Sequence, residues 1–332
     1  MDHRARVVAV GLAGLLLVAG CSSSKSGSAT SATSGSATTS GTSGPVTDIT
    51  VGTAPTLSGT SFYEAAQDGA FAKNQLSATP QLMTSGAEAI PLLLNGQIQF
   101  TVTDAVAAIK AISQKIPLEI IAQGPIVSTD PAKDNGGLLV GSGIASVQDL
   151  AGKTVAVNAL GSFSELAAEK SIDLAGGDSS KVKFVELPIP QMAAAVKAGT
   201  VAGAAISEPY LSEGKAEGLK DLMPILHGVF PNAPMVVYVA SASYASSHPQ
   251  VIKEFADAIT AANATLGASP ATLKSVGGSV AKMTAAQLAN VILPTYVPTP
   301  ISLGALMTVM NVMVEYKVLT APIDLQSHVY GT

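Results

Sequence analysis

Leu92–Asp104 reads LLLNGQIQFTVTD and Ala195–Ser207 reads AVKAGTVAGAAIS, and the two align without a gap at a constant offset of 103 positions. Gly96 falls on Gly199 and Ile98 on Val201. Each stretch describes the end of a helix, a glycine stop and a short strand. A helix running straight into a strand, twice at a fixed distance, reads as two lobes of one design.

The surroundings fit that reading. Before the first copy, Asp48–Thr53 is a strand, Ser61–Lys73 a helix, Gln81–Met83 the end of a second strand, and Ala87–Leu94 a helix. Phe100–Thr103, the helix Ala105–Ser113 and the buried strand Pro117–Gln123 follow. Such alternation predicts an α/β protein with mostly parallel sheets and crossover helices. The polar stretch Ser128–Gly137 (STDPAKDNGG) interrupts it and reads as a crossing segment. The pattern then restarts with a strand at Leu138–Val140 and a capping box at Ser146 and Asp149. Strands are expected at Thr154–Asn158, Val182–Leu187, Ala204–Ser207 and Met235–Ala240, with helices at Ser164–Ala175 and Gln191–Ala198. After Ser243 the chain reads as helical, with capping boxes at Ser247/Gln250 and Thr284/Gln287 and a last helix at Leu303–Leu319. Met307, Met310 and Met313 on that helix read as core packing in preference to an adaptable ligand surface.

The amino terminus has its own logic. Arg4 and Arg6, the apolar run Val7–Val18, and the small pair Ala19-Gly20 precede Cys21, the one cysteine of the chain. This is the layout of a signal peptide over residues 1–20. The position of Cys21 predicts a lipoprotein, cleaved before the cysteine and acylated on its sulfur; an ordinary secretory signal ending near a cysteine is the competing reading. The apolar run is too short to span a bilayer stably, which takes about 20 residues. Residues 21–45 are nearly all Ser, Gly, Thr and Ala and predict a disordered tether. The expected organisation beyond it is a first lobe from residues 46–127, a second from 128–235, and a return to the first over 236–332.

Charge narrows the partners. The chain has 18 Lys and Arg and 23 Asp and Glu; losing Asp2, Arg4 and Arg6 with the signal leaves 16 against 22, a net charge of −6. No basic patch is visible, which argues against nucleic acid. Arg4 and Arg6 are also the only arginines, so no guanidinium fork is left to clamp a sulfonate or carboxylate. The expected solute is therefore neutral or weakly anionic, held by hydroxyls, amides and rings.

Three segments together carry a family resemblance. SVQDLAGKTVAV at Ser146–Val157, with Gly161-Ser162, is similar to the pattern DLKGKKVGV…GS. GTVAGAAISEP at Gly199–Pro209 resembles GxVDA…EP, and YEAAQDGAFA at Tyr63–Ala72 resembles a vA…xGxF helix. All three resemble the nitrate/taurine/alkanesulfonate-type substrate-binding proteins of ABC importers. The resemblance implies a two-lobed periplasmic-binding-protein fold of type II, with two crossing segments and a solute in the cleft. It also implies ABC permease subunits as partners of a receptor outside the cytoplasm, expected to be a monomer. No cofactor and no metal are expected, since no phosphate-loop or dinucleotide glycine fingerprint appears and the histidines are scattered. The chain departs from the pattern where the family's Asp after the glycine stop is replaced by Gln99 and Ala202.

Ligands of open α/β sheets bind beyond the carboxyl ends of the strands. That rule nominates Ser58, Thr60, Ser61 and Phe62 after the first strand, and Ser85 and Gly86 after the second. Asp104 follows the third, Gly161, Ser162 and Phe163 open a helix in the second lobe, and Tyr210 follows a later strand. Ser58 and Thr60 read equally as loop chemistry, Ser61 and Asp104 as helix caps, and Ser162 with Glu165 as a capping box. Glu208-Pro209 reads as structural. No nucleophile constellation appears, and His227, His248 and His328 lack metal-ligand spacing. A thiamine-pyrimidine-synthase-like enzyme of the same fold is the alternative, but that group carries a cysteine-rich motif absent here. A lipoprotein adaptor with an empty cleft is the other.

Overall fold

The two glycine stops adopt the same geometry. In the computed structural model, which describes residues 45–83 and 86–332, Gly96 and Gly199 both have φ of 72°. Gln97 N–H donates to Leu92 O at 2.9 Å and Thr200 N–H to Ala195 O at 3.0 Å, so each helix closes by the same turn. The strands that follow, β3 (Phe100–Asp104) and β8 (Gly203–Ser207), sit at the offset seen in the sequence. Gln99 takes the place of the family's Asp without losing the turn: its Oε1 accepts from Thr50 N–H at 2.8 Å and its Nε2 donates to Gly96 O at 3.2 Å.

In chain order the first half comprises β1 (Thr47–Thr53), α1 (Thr60–Gln67), α2 (Ala70–Lys73), β2 (Leu76–Leu82), α3 (Gly86–Leu94), β3, α4 (Ala105–Ser113) and β4 (Leu118–Gln123). Then come β5 (Gly136–Val140), β6 (Thr154–Val157), α5 (Phe163–Leu174), β7 (Lys183–Glu186), α6 (Ile189–Lys197), β8, α7 (Tyr210–Ala216) and β9 (Lys220–Pro224). The chain ends with β10 (Val236–Ser241), α8 (Ala242–Ser247), α9 (Pro249–Ala268), α10 (Pro270–Val280), α11 (Ala285–Asn290) and α12 (Leu303–Glu315).

Ten strands form two five-stranded sheets, ordered β2-β1-β3-β10-β4 and β7-β6-β8-β5-β9. In each, four strands run one way and the strand at the fourth position is antiparallel to both neighbours. That antiparallel strand, β10 or β5, is the one the chain lays down on arriving from the other sheet. This is the two-lobed α/β architecture expected from the sequence. The two crossings lie side by side: Val127 N–H donates to Ala233 O at 2.8 Å, Asn232 N–H to Val127 O at 3.0 Å, and Ile126 bridges Pro234.

One face of the first sheet packs an aromatic cluster of Phe62, Phe71, Phe100, Tyr238 and Phe255 beneath α1, α2 and α9. The outer face of the second sheet packs Leu139, Met192, Val196 and Leu211 beneath α6 and α7. A third cluster runs without a break from α4 and α12 to α5, so the two lobes share apolar surface. Met310 and Met313 belong to it, while Met307 is 44% exposed, so the core reading holds for two of the three methionines.

Several expectations are corrected. The helix expected over Ser61–Lys73 breaks at Gly69, whose φ of 77° reverses the chain while Asp68 Oδ1 accepts from Ala70 N–H at 2.8 Å. The Ser247/Gln250 box does not form: Ser247 Oγ donates back to Ser243 O at 2.7 Å, and Gln250 bonds Glu254. The Ser146/Asp149 and Thr284/Gln287 boxes do form. The last helix stops at Glu315, because Lys317 turns left-handed at φ 61°. The sequence reading passed over α7 and β9, whose short, charged stretches lack strong apolar periodicity.

The shared surface carries an acidic stripe. Glu165, Glu169 and Asp173 lie at successive turns of α5. Tyr316 Oη donates to Asp173 Oδ2 at 2.6 Å, and Lys170 pairs with Glu315. Burial, reinforced by the Glu165 and Asp173 charges, pushes the Glu169 carboxyl from its ordinary 4.5 up to about 7. The fold thus holds this proton more tightly than the unfolded chain does. The resulting stability is full below about pH 4.5 and lost as pH rises through 7. Glu169→Gln is expected to raise stability at pH 8 by about 1 kcal/mol, roughly 2–4 °C in melting temperature, once solvent screening of a half-buried group is allowed for. Calorimetric scans at pH 4 and pH 8 check this; the gain should vanish at the lower pH.

Candidate functional site

The carboxyl ends of the parallel strands in both sheets face one cavity of about 270 Å³. From the first lobe it is lined by Pro55–Ser58 after β1, Asp104 at the end of β3, and Met235 and Val236 entering β10. The second lobe supplies Asn135 and Gly136 entering β5, Asn158, Phe163 and Ser164 after β6, and Ile189 after β7. It adds Ile206–Tyr210 after β8, with Ile225 and Leu226 after β9. The two halves are contributed by corresponding positions of the repeated design.

Local chemistry explains the placement of each group. Asp104 caps α4, its Oδ1 accepting from Ala107 N–H at 2.8 Å, and it also lines the cavity. The cap reading therefore holds, and the residue also stands where a ligand contact would require it. Burial raises its carboxyl above the ordinary aspartate value, against the opposing pull of the Ala107 and Val106 amides and the Lys110 charge. In the second lobe Gly161, at φ 68°, turns the chain after β6. Ser162 caps α5 by accepting from Glu165 N–H at 3.3 Å, and Glu165 accepts in return from Gly161 N–H. This turn delivers Phe163 to the cavity wall, where its ring lies 4.4 Å from that of Phe230. Ser162 itself is buried and its hydroxyl donates to Asn158 Oδ1 at 3.2 Å.

Of the sequence candidates, Ser58, Asp104, Phe163 and Tyr210 come together around the cavity. Gly161 and Ser162 do not line it; they form the turn and cap that precede Phe163. Thr60, Ser61 and Phe62 belong elsewhere, because their side chains are buried in the first lobe at the start of α1. Thr60 Oγ1 donates to Leu57 O at 2.7 Å, Ser61 Oγ donates to Asn263 Oδ1 at 2.6 Å, and Phe62 is in the aromatic core. Ser85 lies outside the described residues, as does Cys21, and Gly86 opens α3.

Asn135, Asn158, Ser207 and Met235 were not nominated from the sequence. Asn158 and Ser207 end their strands, so the carboxyl-end rule applied evenly would have found them. Asn135 and Met235 enter antiparallel strands, which that rule does not reach. Glu208 is structural as expected, and it also lines the cavity. Its carboxylate accepts from Ser212 Oγ at 2.7 Å, Ser212 N–H at 3.1 Å and Ile292 N–H at 3.2 Å. Burial raises its carboxyl; these bonds and Lys215 oppose the shift.

Among the described residues, no cluster of three or more His, Cys, Asp or Glu has the geometry to hold a metal ion. No described helix is long and apolar enough to cross a membrane.

Comparison with known proteins agrees with this geometry. The taurine-binding periplasmic protein of Escherichia coli (strain K12) is 28% identical over 197 residues, which span 58% of this chain and 58% of that protein. The alkanesulfonate-binding protein SsuA from Xanthomonas axonopodis pv. citri, solved with MOPS, superposes with a TM-score of 0.68 at 18% identity, covering 87% of this chain and 99% of its own. The ligand-binding component of an ABC-type import system from Staphylococcus aureus, solved with zinc, gives a TM-score of 0.73 at 13% identity over 85% of this chain and 96% of that one. At such identities these two likenesses establish the fold. The sequence from residue 58 to residue 272 matches the family described as NMT1/THI5 like, a span that takes in the strands of both sheets from β2 to β10, and the chain belongs to that family.

Proposed function

We propose that this protein is the extracytoplasmic solute-binding component of an ABC importer, holding a small organic solute between its lobes and delivering it to the permease. The observation that carries the reading is the cavity, lined from both sheets at the carboxyl ends of their strands. A solute there touches both lobes, so its binding energy favours the closed arrangement. The paired crossings at residues 126–127 and 232–234 supply the flexing point between a first lobe over residues 46–127 and 236–332 and a second over 128–235. The binding proteins among the similar chains support the same reading.

In this proposal the protein is a monomer held to the outer face of the membrane by a lipid on Cys21, with residues 21–45 as its tether. The signal-like stretch from Arg4 to Gly20 supports this. The thiamine-pyrimidine-synthase-like alternative is disfavoured, because Cys21 is the chain's one cysteine and a cysteine-rich motif cannot be built from it.

Mass spectrometry of small molecules released from the purified full-length protein tests the reading. A stoichiometric solute is expected. Ser207→Trp, which fills the cavity from the end of β8, should release it while the protein keeps its melting transition. The chain has no tryptophan of its own, so the new indole also reports folding by its fluorescence. A solute retained by this variant would place binding elsewhere and overturn the proposal.

A further inference from the structure

The electrostatics of the cavity are one-sided. Among its described lining residues the formally charged side chains are Asp104 and Glu208, both acidic; no lysine, arginine or histidine lines it. The two carboxylates differ in what they have left to offer. Glu208 is spent on three donors, the Ser212 hydroxyl and the Ser212 and Ile292 amides. Asp104 is committed to the amide end of α4, and a carboxylate has about four acceptor positions, so it retains capacity. Lys110, the ammonium that acts on Asp104, is directed away to the Gly161 turn, where a Cβ built on that glycine would stand 3.3 Å from its Nζ. There it also acts on Glu165. The remaining wall is largely apolar, with Leu57, Phe163, Ile189, Ile206 and Leu226 among its members.

We propose that the solute is an organic cation, a protonated amine on an apolar body, with its ammonium paired to Asp104. This deepens the reading of the cavity as the solute site and rests on it. It also replaces the expectation of a neutral or weakly anionic solute, which followed from missing arginines without knowledge of where the carboxylates lie. An anion entering this cavity gives up its hydration facing two carboxylates, with no cation among the lining residues. An ammonium gives up its hydration for a charge-assisted hydrogen bond. Burial raises the Asp104 carboxyl, and a bound ammonium would act against that shift.

Three probes with one body and different heads test the inference: 2-phenylethylamine, 2-phenylethanol and 2-phenylethanesulfonate, titrated calorimetrically into the full-length protein at pH 7. The amine is expected to bind at least about tenfold more tightly than the alcohol, with the sulfonate weakest. Asp104→Asn keeps a good helix cap, because Asn and Asp cap about equally well. It should bring the amine down to the level of the alcohol and change the alcohol by less than about threefold. A sulfonate that binds more tightly than the alcohol overturns the inference, as does an amine preference that survives in Asp104→Asn. The wild-type order decides even if that variant fails to fold. An anionic solute that co-purifies with the protein and is lost in Ser207→Trp would overturn the charge argument and leave the cavity reading standing. No co-purified solute and no binding of any probe would overturn both.

Discussion

Phe255→Ala lowers the melting temperature by roughly 5–10 °C, corresponding to a loss of about 3–5 kcal/mol. Phe255 is fully buried on α9 and is the centre of the aromatic cluster. Its ring stacks on Phe100 with centroids 3.7 Å apart and planes 4° from parallel, and it meets Tyr238 at 5.6 Å and Phe71 at 5.7 Å. These partners come from β3, β10 and α2, so one ring ties the longest helix to two adjacent strands and to the helix beside them. Truncation removes apolar burial and opens a cavity that three rigid rings cannot collapse into. Differential scanning calorimetry measures the loss. Phe255→Leu, which keeps most of the volume, should recover more than half of it. A drop below about 2 °C for the alanine variant would mean that the cluster relaxes around the hole.

Asp134→Ala is expected to cost about 3 kcal/mol, for a different reason. The Asp134 side chain is fully buried where the chain enters the second lobe. Its Oδ1 accepts from Gly136 N–H at 3.0 Å, and its Oδ2 accepts from Leu226 N–H at 2.8 Å and His227 N–H at 2.7 Å. The His227 ring lies against the same oxygen, with Nδ1 at 3.0 Å. One carboxylate thus fastens the start of β5 to the turn after β9. Removing it orphans backbone donors in an interior that water reaches poorly. Amide hydrogen exchange at Gly136, Leu226 and His227 should accelerate along with the drop in melting temperature. Because Gly136 and Leu226 line the cavity, solute affinity should fall too. Unchanged exchange at these three amides would show that other contacts hold the junction.

The sequence made the architecture legible wherever a local rule has a local cause. A glycine that must turn left-handed after a helix announced Gly96 and Gly199, and β3 and β8 followed at the expected offset. Ser146 and Thr284 capped as read, since a capping box closes within four residues. Ser247 did not, because it is the last residue of α8 and its hydroxyl bonds the Ser243 and Tyr244 carbonyls of that helix instead. The cavity was half legible. Residues that end parallel strands can be nominated from order along the chain, and Ser58, Asp104, Phe163 and Tyr210 arrived there. Thr60, Ser61 and Phe62 lie away from the cavity, because their partners Leu57 O, Asn263 and the aromatic core draw them inward, and Asn263 lies 202 residues on from Ser61, beyond the reach of a local pattern. Asn135 and Met235 depend on antiparallel strands that pair with partners far along the chain, Gly136 with Ser207 and Val236 with Asp104, and no local pattern announces such a pairing.

The side-by-side crossings have a consequence for how the molecule comes apart. Since Val127 and Asn232 are hydrogen-bonded to each other, the second lobe begins and ends at nearly one point in space. It is built as an insert with adjoining ends, set into a host whose own two segments meet in one sheet. A host of this kind does not need its insert to bring β3 and β10 together beyond the short ribbon that joins them. Grafting that lobe onto another protein therefore requires a single loop with close-set ends, and new chain termini opened in the tip of one of its surface turns would leave both halves still joined through the ribbon.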